Sequence, residues 1–109
     1  MLNTKISYLY RDASNYKQYN WVVVAGGITE KEKNTILAAC QDGEYFVPEQ
    51  VGLPCERFAS LYEDDTSFCE IGRNCFELTE QDPTVSLTVD ELTKAFAAVK
   101  EWDSEYIWH

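Results

Sequence analysis

Apolar and polar positions alternate near the start of the chain. In KISYLY, Ile6, Tyr8 and Tyr10 fall on one side and Ser7 and Leu9 on the other, the period of a strand with one buried face. RDASNYKQYN follows, rich in Asp, Ser and Asn, whose side chains bond their own backbone in turns. WVVVA then runs apolar and β-branched without alternation, which predicts a central strand covered on both faces. The two strands are expected to form an antiparallel hairpin with a long, Tyr-rich loop.

Two helices follow from a different period. The first is expected from about Thr29 to Asp42, where Ile36, Leu37 and Cys40 make a short apolar stripe. Thr29 and Glu32 have capping-box spacing: the hydroxyl accepts from the Glu32 N–H and the carboxylate reaches back. Gly43 is placed to end this helix in a left-handed conformation. The second helix, about Val89 to Trp102, repeats the box with Thr88 and Glu91 and adds a Leu87–Leu92 staple. Its stripe is Leu92, Phe96 and Val99, with Ala95 and Trp102 beside it.

Between the helices the pattern is broken. Tyr45 to Val47 read as extended, and Pro48 ends central pairing. Gly52 and Pro54 predict a turn, Arg57 to Tyr62 one helical turn, and EDDTS a solvated acidic loop. NCFEL alternates again, with Phe76 and Leu78 opposite Cys75 and Glu77. TEQDP is a turn and TVSL a further short strand. The sum is an α+β fold: one domain over residues 1–109, a mostly antiparallel sheet of four or five strands, and two main helices on one face. A length of 109 residues suits one domain, and an apolar fraction of 45% argues against disorder.

Charge divides the chain. Residues 1–28 carry Lys5, Arg11 and Lys17 against Asp12, while the remainder holds 18 of the 19 acids. The net charge of −10 disfavours bare nucleic acid and anionic lipid. It fits a basic protein partner, and it equally serves solubility. MLNTKISYLYRD lacks a charged leader followed by a long apolar stretch, and no segment approaches a membrane span. A soluble cytoplasmic protein is expected, without contact to membrane or direct contact to nucleic acid.

Tests for chemistry return little. VVVAGGITEKEK resembles the opening of a nucleotide-binding fold, yet Glu30 and Glu32 occupy the helix N-terminus and would repel a phosphate. The P-loop order is missing, and Glu30 stands where a dinucleotide fingerprint needs its third glycine. The one histidine, His109, is terminal, so a cysteine or serine nucleophile has no evident base. Glu63, Asp64 and Asp65 lack the ligand order of an EF-hand. Cys40, Cys55, Cys69 and Cys75 form no C-x-x-C pair, so neither structural zinc nor a disulfide framework is expected. Cys40 reads as a small core residue. No catalytic residue, cofactor or metal is expected.

The candidate contact surface is the first hairpin loop, which holds Arg11, Asn15, Tyr16, Lys17 and Tyr19. Arg and Tyr are favoured at interface hot spots, although Asn, Ser and Tyr also build ordinary loops. Tyr45, Phe46, Pro48 and Gln50 are a second candidate, with core-edge packing as the competing role. At YRDASNYK and GEYFVPEQVGLP the sequence resembles an uncharacterised family of small acidic bacterial proteins. That resemblance implies a bacterial cytosolic setting and a single domain, with no site residues. The first functional expectation is a non-enzymatic protein-interaction or regulatory module. The alternatives are an acidic nucleic-acid mimic and a small-molecule binder or minor enzyme with a sheet–helix pocket. Oligomeric state and strand order are left open by the sequence.

Overall fold

A long strand, β1 (Asn3–Arg11), runs through the middle of a five-stranded antiparallel sheet. The computed structural model describes residues 2–57 and 65–108. Strand β2 (Lys17–Val24) pairs with β1 along its length, from Thr4↔Val24 to Arg11↔Lys17. The other edge of β1 is shared by two short strands. β5 (Phe76–Thr79) lies opposite Asn3 to Ile6, and β4 (Cys69–Glu70) lies opposite Leu9 and Tyr10. β3 (Tyr45–Phe46) completes the sheet by pairing with β4. Ser7 and Tyr8 fall between the two registers, so this edge is broken there.

The alternation in β1 decides which face is buried. Ile6, Tyr8 and Tyr10 point into the core and meet Ile36 of α1 (Glu30–Ala39) and Leu92 and Phe96 of α2 (Val89–Ala98). Both helices therefore pack on one face, giving the expected α+β architecture. Phe46 sits at the centre of an aromatic cluster, with ring centroids 5.6 Å from Tyr8, 5.4 Å from Phe96 and 6.3 Å from Trp102. The Cα radius of gyration, 13.6 Å, matches the roughly 13 Å of one compact domain of this length.

Both capping boxes form. Thr29 and Thr88 accept from the N–H groups of Glu32 and Glu91, whose carboxylates bond back to the two caps. The glycine turn ahead of α1 is held by β1 itself. Asn3 Oδ1 accepts from Gly26 N–H at 3.1 Å. Thr4 Oγ1 donates to the Gly26 carbonyl at 2.7 Å and accepts from Ile28 N–H at 2.9 Å. Gly26 has φ +100°, which only glycine adopts without strain. The donors a phosphate would need at Gly26, Ile28 and Thr29 are thus bound within the chain. Thr4 is fully buried, so Thr4→Val keeps the shape and strands both partners. We expect a loss of about 2 kcal/mol in urea unfolding, with Thr4→Ser retaining most of the stability. A neutral Thr4→Val would show that the turn does not depend on this hydroxyl.

Several local expectations are corrected. WVVVA is not a central strand: β2 lies at the end of the sheet and β1 is the central one. Val22 and Val24 are buried in the core beneath the helices, while an irregular segment takes the outer edge of the strand, with Val23 exchanging bonds with Thr84 and Ala25 bonding Leu87 and Val89. TVSL is that segment and not a strand. The hairpin loop is short, because β1 and β2 extend to Arg11 and Lys17 and an Asp12 side chain bonds the Ser14 and Tyr16 N–H groups. Helix α1 ends at Ala39, and Gly43 forms with Asp42 a left-handed turn closed by Gln41 and Tyr45. Helix α2 also stops early, and Trp102 returns beyond it to donate from Nε1 to the Ala39 carbonyl at 2.9 Å. Asp65 is not solvated: it is 4% exposed, and its Oδ1 accepts from Ala13 N–H at 3.0 Å. The helical turn expected from Arg57 to Tyr62 lies mostly outside the described residues, as do Glu63 and Asp64. No helix among the described residues is long and apolar enough to cross a membrane.

Candidate functional site

The sheet face turned away from the helices carries the odd residues of β1 and β2. Lys5, Ser7, Leu9 and Arg11 stand opposite Val23, Trp21, Tyr19 and Lys17 across the ladder. Tyr19 is 71% exposed and Trp21 49%. Lys5 Nζ lies 4.6 Å from the centre of the Trp21 ring, a cation–π contact that holds the indole on the surface. Tyr19 pairs directly with half-buried Leu9, so an aromatic and an aliphatic side chain form a continuous apolar strip.

The strip borders a groove at the broken edge of the sheet. Its volume is about 530 Å³, and Ser7, Leu9 and Tyr19 line one side while Ile71, Gly72 and Arg73 line the other. The groove exists because β4 and β5 diverge around Arg73 to Cys75, leaving Ser7 without a strand partner on this side. Bonding alternates along an antiparallel strand. Val23 and Ala25 direct their main-chain groups outward to residues 84–89, so Val22 and Val24 face β1. The odd residues of β1 then direct theirs to the other edge, and the Ser7 main chain faces the gap. An extended peptide could meet this edge through backbone bonds and place an apolar side chain in the groove.

The charged residues around the groove are mostly engaged. Arg11 Nε donates to Glu70 at 2.8 Å, and its Nη1 donates to Asn15 Oδ1. The hydrogen bond and charge of Glu70 raise the Arg11 pKa. Arg73 donates to Glu30 at 2.9 Å and to Asn34 at 2.6 Å. The groove therefore offers apolar surface and backbone more than an unpaired charge. The thiol nearest to it, Cys75, accepts from Gly72 N–H at 3.3 Å. Among the described residues, no three His, Cys, Asp or Glu side chains come together to hold a metal.

The residues singled out in the sequence divide. Tyr16 and Lys17 stand exposed beside the hairpin turn, Tyr16 at 68%. Tyr19 belongs to strand β2, not to the loop. Arg11 and Asn15 brace each other, with Asn15 at φ +68° in the turn. Tyr45 reaches the same sheet face through its pairing with Glu70 and stacks edge-on against Phe68 at 6.1 Å. Phe46 is fully buried, and Pro48 and Gln50 serve the fold. Pro48 is fully buried at the start of a 3-10 turn, Pro48–Val51. Gln50 spends its amide on the C-terminal segment, donating to the Glu101 carbonyl at 3.2 Å and accepting from Asp103 N–H at 2.7 Å. Trp21, Leu9 and Ser7 were missed, although Lys17, Tyr19 and Trp21 already alternate in KQYNW.

No family model, no curated protein and no solved structure matches the chain.

Proposed function

We propose that the chain is a non-enzymatic protein-binding module of the cytoplasm, acting in an interaction or regulatory role through the open face of its sheet. One observation carries the reading: exposed Tyr19 lines a largely apolar groove at a break in a sheet edge, and exposed Trp21 stands next to it, opposite Ser7. Rigid aromatic side chains beside a pocket have the composition of interface hot spots. The partner on this reading is a protein that offers an extended segment with an apolar anchor. Many carboxylates meanwhile serve the fold: Glu32 and Glu91 cap helices, and Glu49 and Glu70 pair with Arg57 and Arg11. That use weighs against a phosphate-like array.

Ser7 is exposed, small and central to the groove, so it is the position for a photo-reactive side chain. A benzophenone amino acid at Ser7 is expected to give discrete cross-linked protein species in the native host. The same group at Glu101, outside this face, is expected to give none of them. Equal patterns from both positions, or no adduct at Ser7, would remove the reading.

A further inference from the structure

Four free cysteines are distributed unevenly through the structure. Cys55 and Cys69 are 14 residues apart in sequence, yet their Sγ atoms lie 3.2 Å apart. A disulfide needs about 2.05 Å, so the sulfurs must close by roughly 1.2 Å, within reach of side-chain rotation. Cys69 is fixed in strand β4, opposite Tyr10 and Phe46. Cys55 has no regular secondary structure around it, but its segment is pinned on each side. The Tyr8 hydroxyl donates to the Pro54 carbonyl. Asn20 brackets Glu56, accepting from its N–H at 2.7 Å and donating to its carbonyl at 3.0 Å. Arg57 donates to both oxygens of Glu49, at 2.5 Å and 3.1 Å, and to the Ser67 carbonyl at 2.8 Å. The thiols are thereby held together from three directions.

We propose that Cys55 and Cys69 form a reversibly oxidisable pair, with Cys55 as the thiol that reacts first. Cys55 is partly exposed and Cys69 is buried, so an oxidant reaches Cys55. The hydrogen bond from Cys69 lowers the Cys55 pKa and the Arg57 charge adds to this, while the bond to Cys55 and burial raise that of Cys69. The thiolate is the reactive form. With hydrogen peroxide as oxidant, Cys55 Sγ⁻ attacks one oxygen, the O–O bond breaks, and a proton converts the departing hydroxide to water. The resulting sulfenic acid sits against Cys69. Cys69 Sγ then attacks Cys55 Sγ, the S–O bond breaks, and the Cys69 proton leaves with hydroxide as a second water. Two thiols and one peroxide give one disulfide and two waters. Reduction by a dithiol restores both thiols.

The other cysteines are placed differently. Cys40 is buried in α1's C-terminal cap, its pKa is pushed up to about 12 by burial, and its Sγ contacts the Ile36 carbonyl at 3.4 Å. Cys75 lies in the groove wall beside Gly72. The ring closed by a Cys55–Cys69 bond would include Asp65 and Ser67. Those residues hold the hairpin tip at Ala13 and the C-terminal segment at Ile107 and Trp108. Oxidation would therefore fasten the support beneath the hairpin that carries Tyr16 and Tyr19.

The test uses the full chain, reduced, desalted and exposed to a small molar excess of hydrogen peroxide. Free thiols are then alkylated in denaturant and the protein is digested with trypsin, which cuts after Arg57 and separates the two cysteines. The expected product is a peptide pair joined through Cys55 and Cys69, lighter by two hydrogens and released by dithiothreitol, with Cys40 and Cys75 alkylated. Cys55→Ser should lose the joined pair and leave Cys69 alkylated, whereas Cys75→Ser should keep the pair. Oxidation spread evenly over the four cysteines, or overoxidised Cys55 without a link, would overturn the proposal. The wild-type map decides this even if Cys55→Ser fails to fold, which circular dichroism would show.

Discussion

Phe46→Ala is expected to cost about 3–5 kcal/mol of folding stability. The Phe46 ring is fully buried and touches three other aromatic rings, from β1, from α2 and from the segment after it. It is the side chain through which the two-residue strand β3 reaches the core. Truncation leaves a cavity whose walls are held by separate elements: Tyr8 by the central strand, Phe96 by a helix and Trp102 by its bond to Ala39. Such a site cannot easily collapse, which places the cost in the upper part of the range. A domain of this size has on the order of 5–15 kcal/mol in total, so the variant should unfold at a Tm lower by roughly 12 °C or more. Urea unfolding with an unchanged m-value would assign the loss to the folded state. Phe46→Leu should recover most of it. A loss below about 1 kcal/mol would mean that the cluster does not organise the core as described.

What was legible in the sequence is what depends on neighbours along the chain. A capping box needs only Thr and Glu three residues apart, and both boxes form where the spacing placed them. The period of KISYLY fixed the buried face of β1, because one-sided burial leaves a one-sided pattern. The failures share a different cause. An apolar run at Val22 to Val24 signals burial but not what borders the strand, and here an irregular segment bonds its outer edge where a central strand would have a neighbour. Strand β4 has two residues, too few to show a period, and it exists only through its pairing with β1 and β3.

The same reasoning explains the site. Asn and Ser neighbours favour a turn through Lys17 and Tyr19, yet cross-strand pairing carries β2 on to Lys17 and leaves only Tyr16 in the loop. Trp21 was absorbed into the apolar run that follows it, although only Val22 to Val24 of that run are buried in β2. Pro48 and Gln50 looked like a groove wall by type. One is enclosed and the other latches the C-terminal segment. The groove itself had no local signature. It arises where two short strands fail to meet, a fact of register that depends on residues 60 or more positions away from Ser7.

Separating binding from stability gives the second large effect. Tyr19→Ala is expected to weaken partner capture by about 2 kcal/mol, or roughly 30-fold, with folding stability within about 0.5 kcal/mol of wild type. Tyr19 has little of its surface in the fold to lose. Trp21→Ala should weaken capture by a similar amount, about 2 kcal/mol, but also cost about 1 kcal/mol of stability, since half its surface and the Lys5 contact belong to the fold. Glu101→Ala, away from this face, should change neither. The measurements are titration of the species captured through Ser7 and urea unfolding of each variant. If the two aromatic variants bind as tightly as wild type, the exposed rings have no role in recognition. If affinity falls only in proportion to lost stability, the face is a structural surface, because a docking surface must let Tyr19 weaken binding while the fold stays intact.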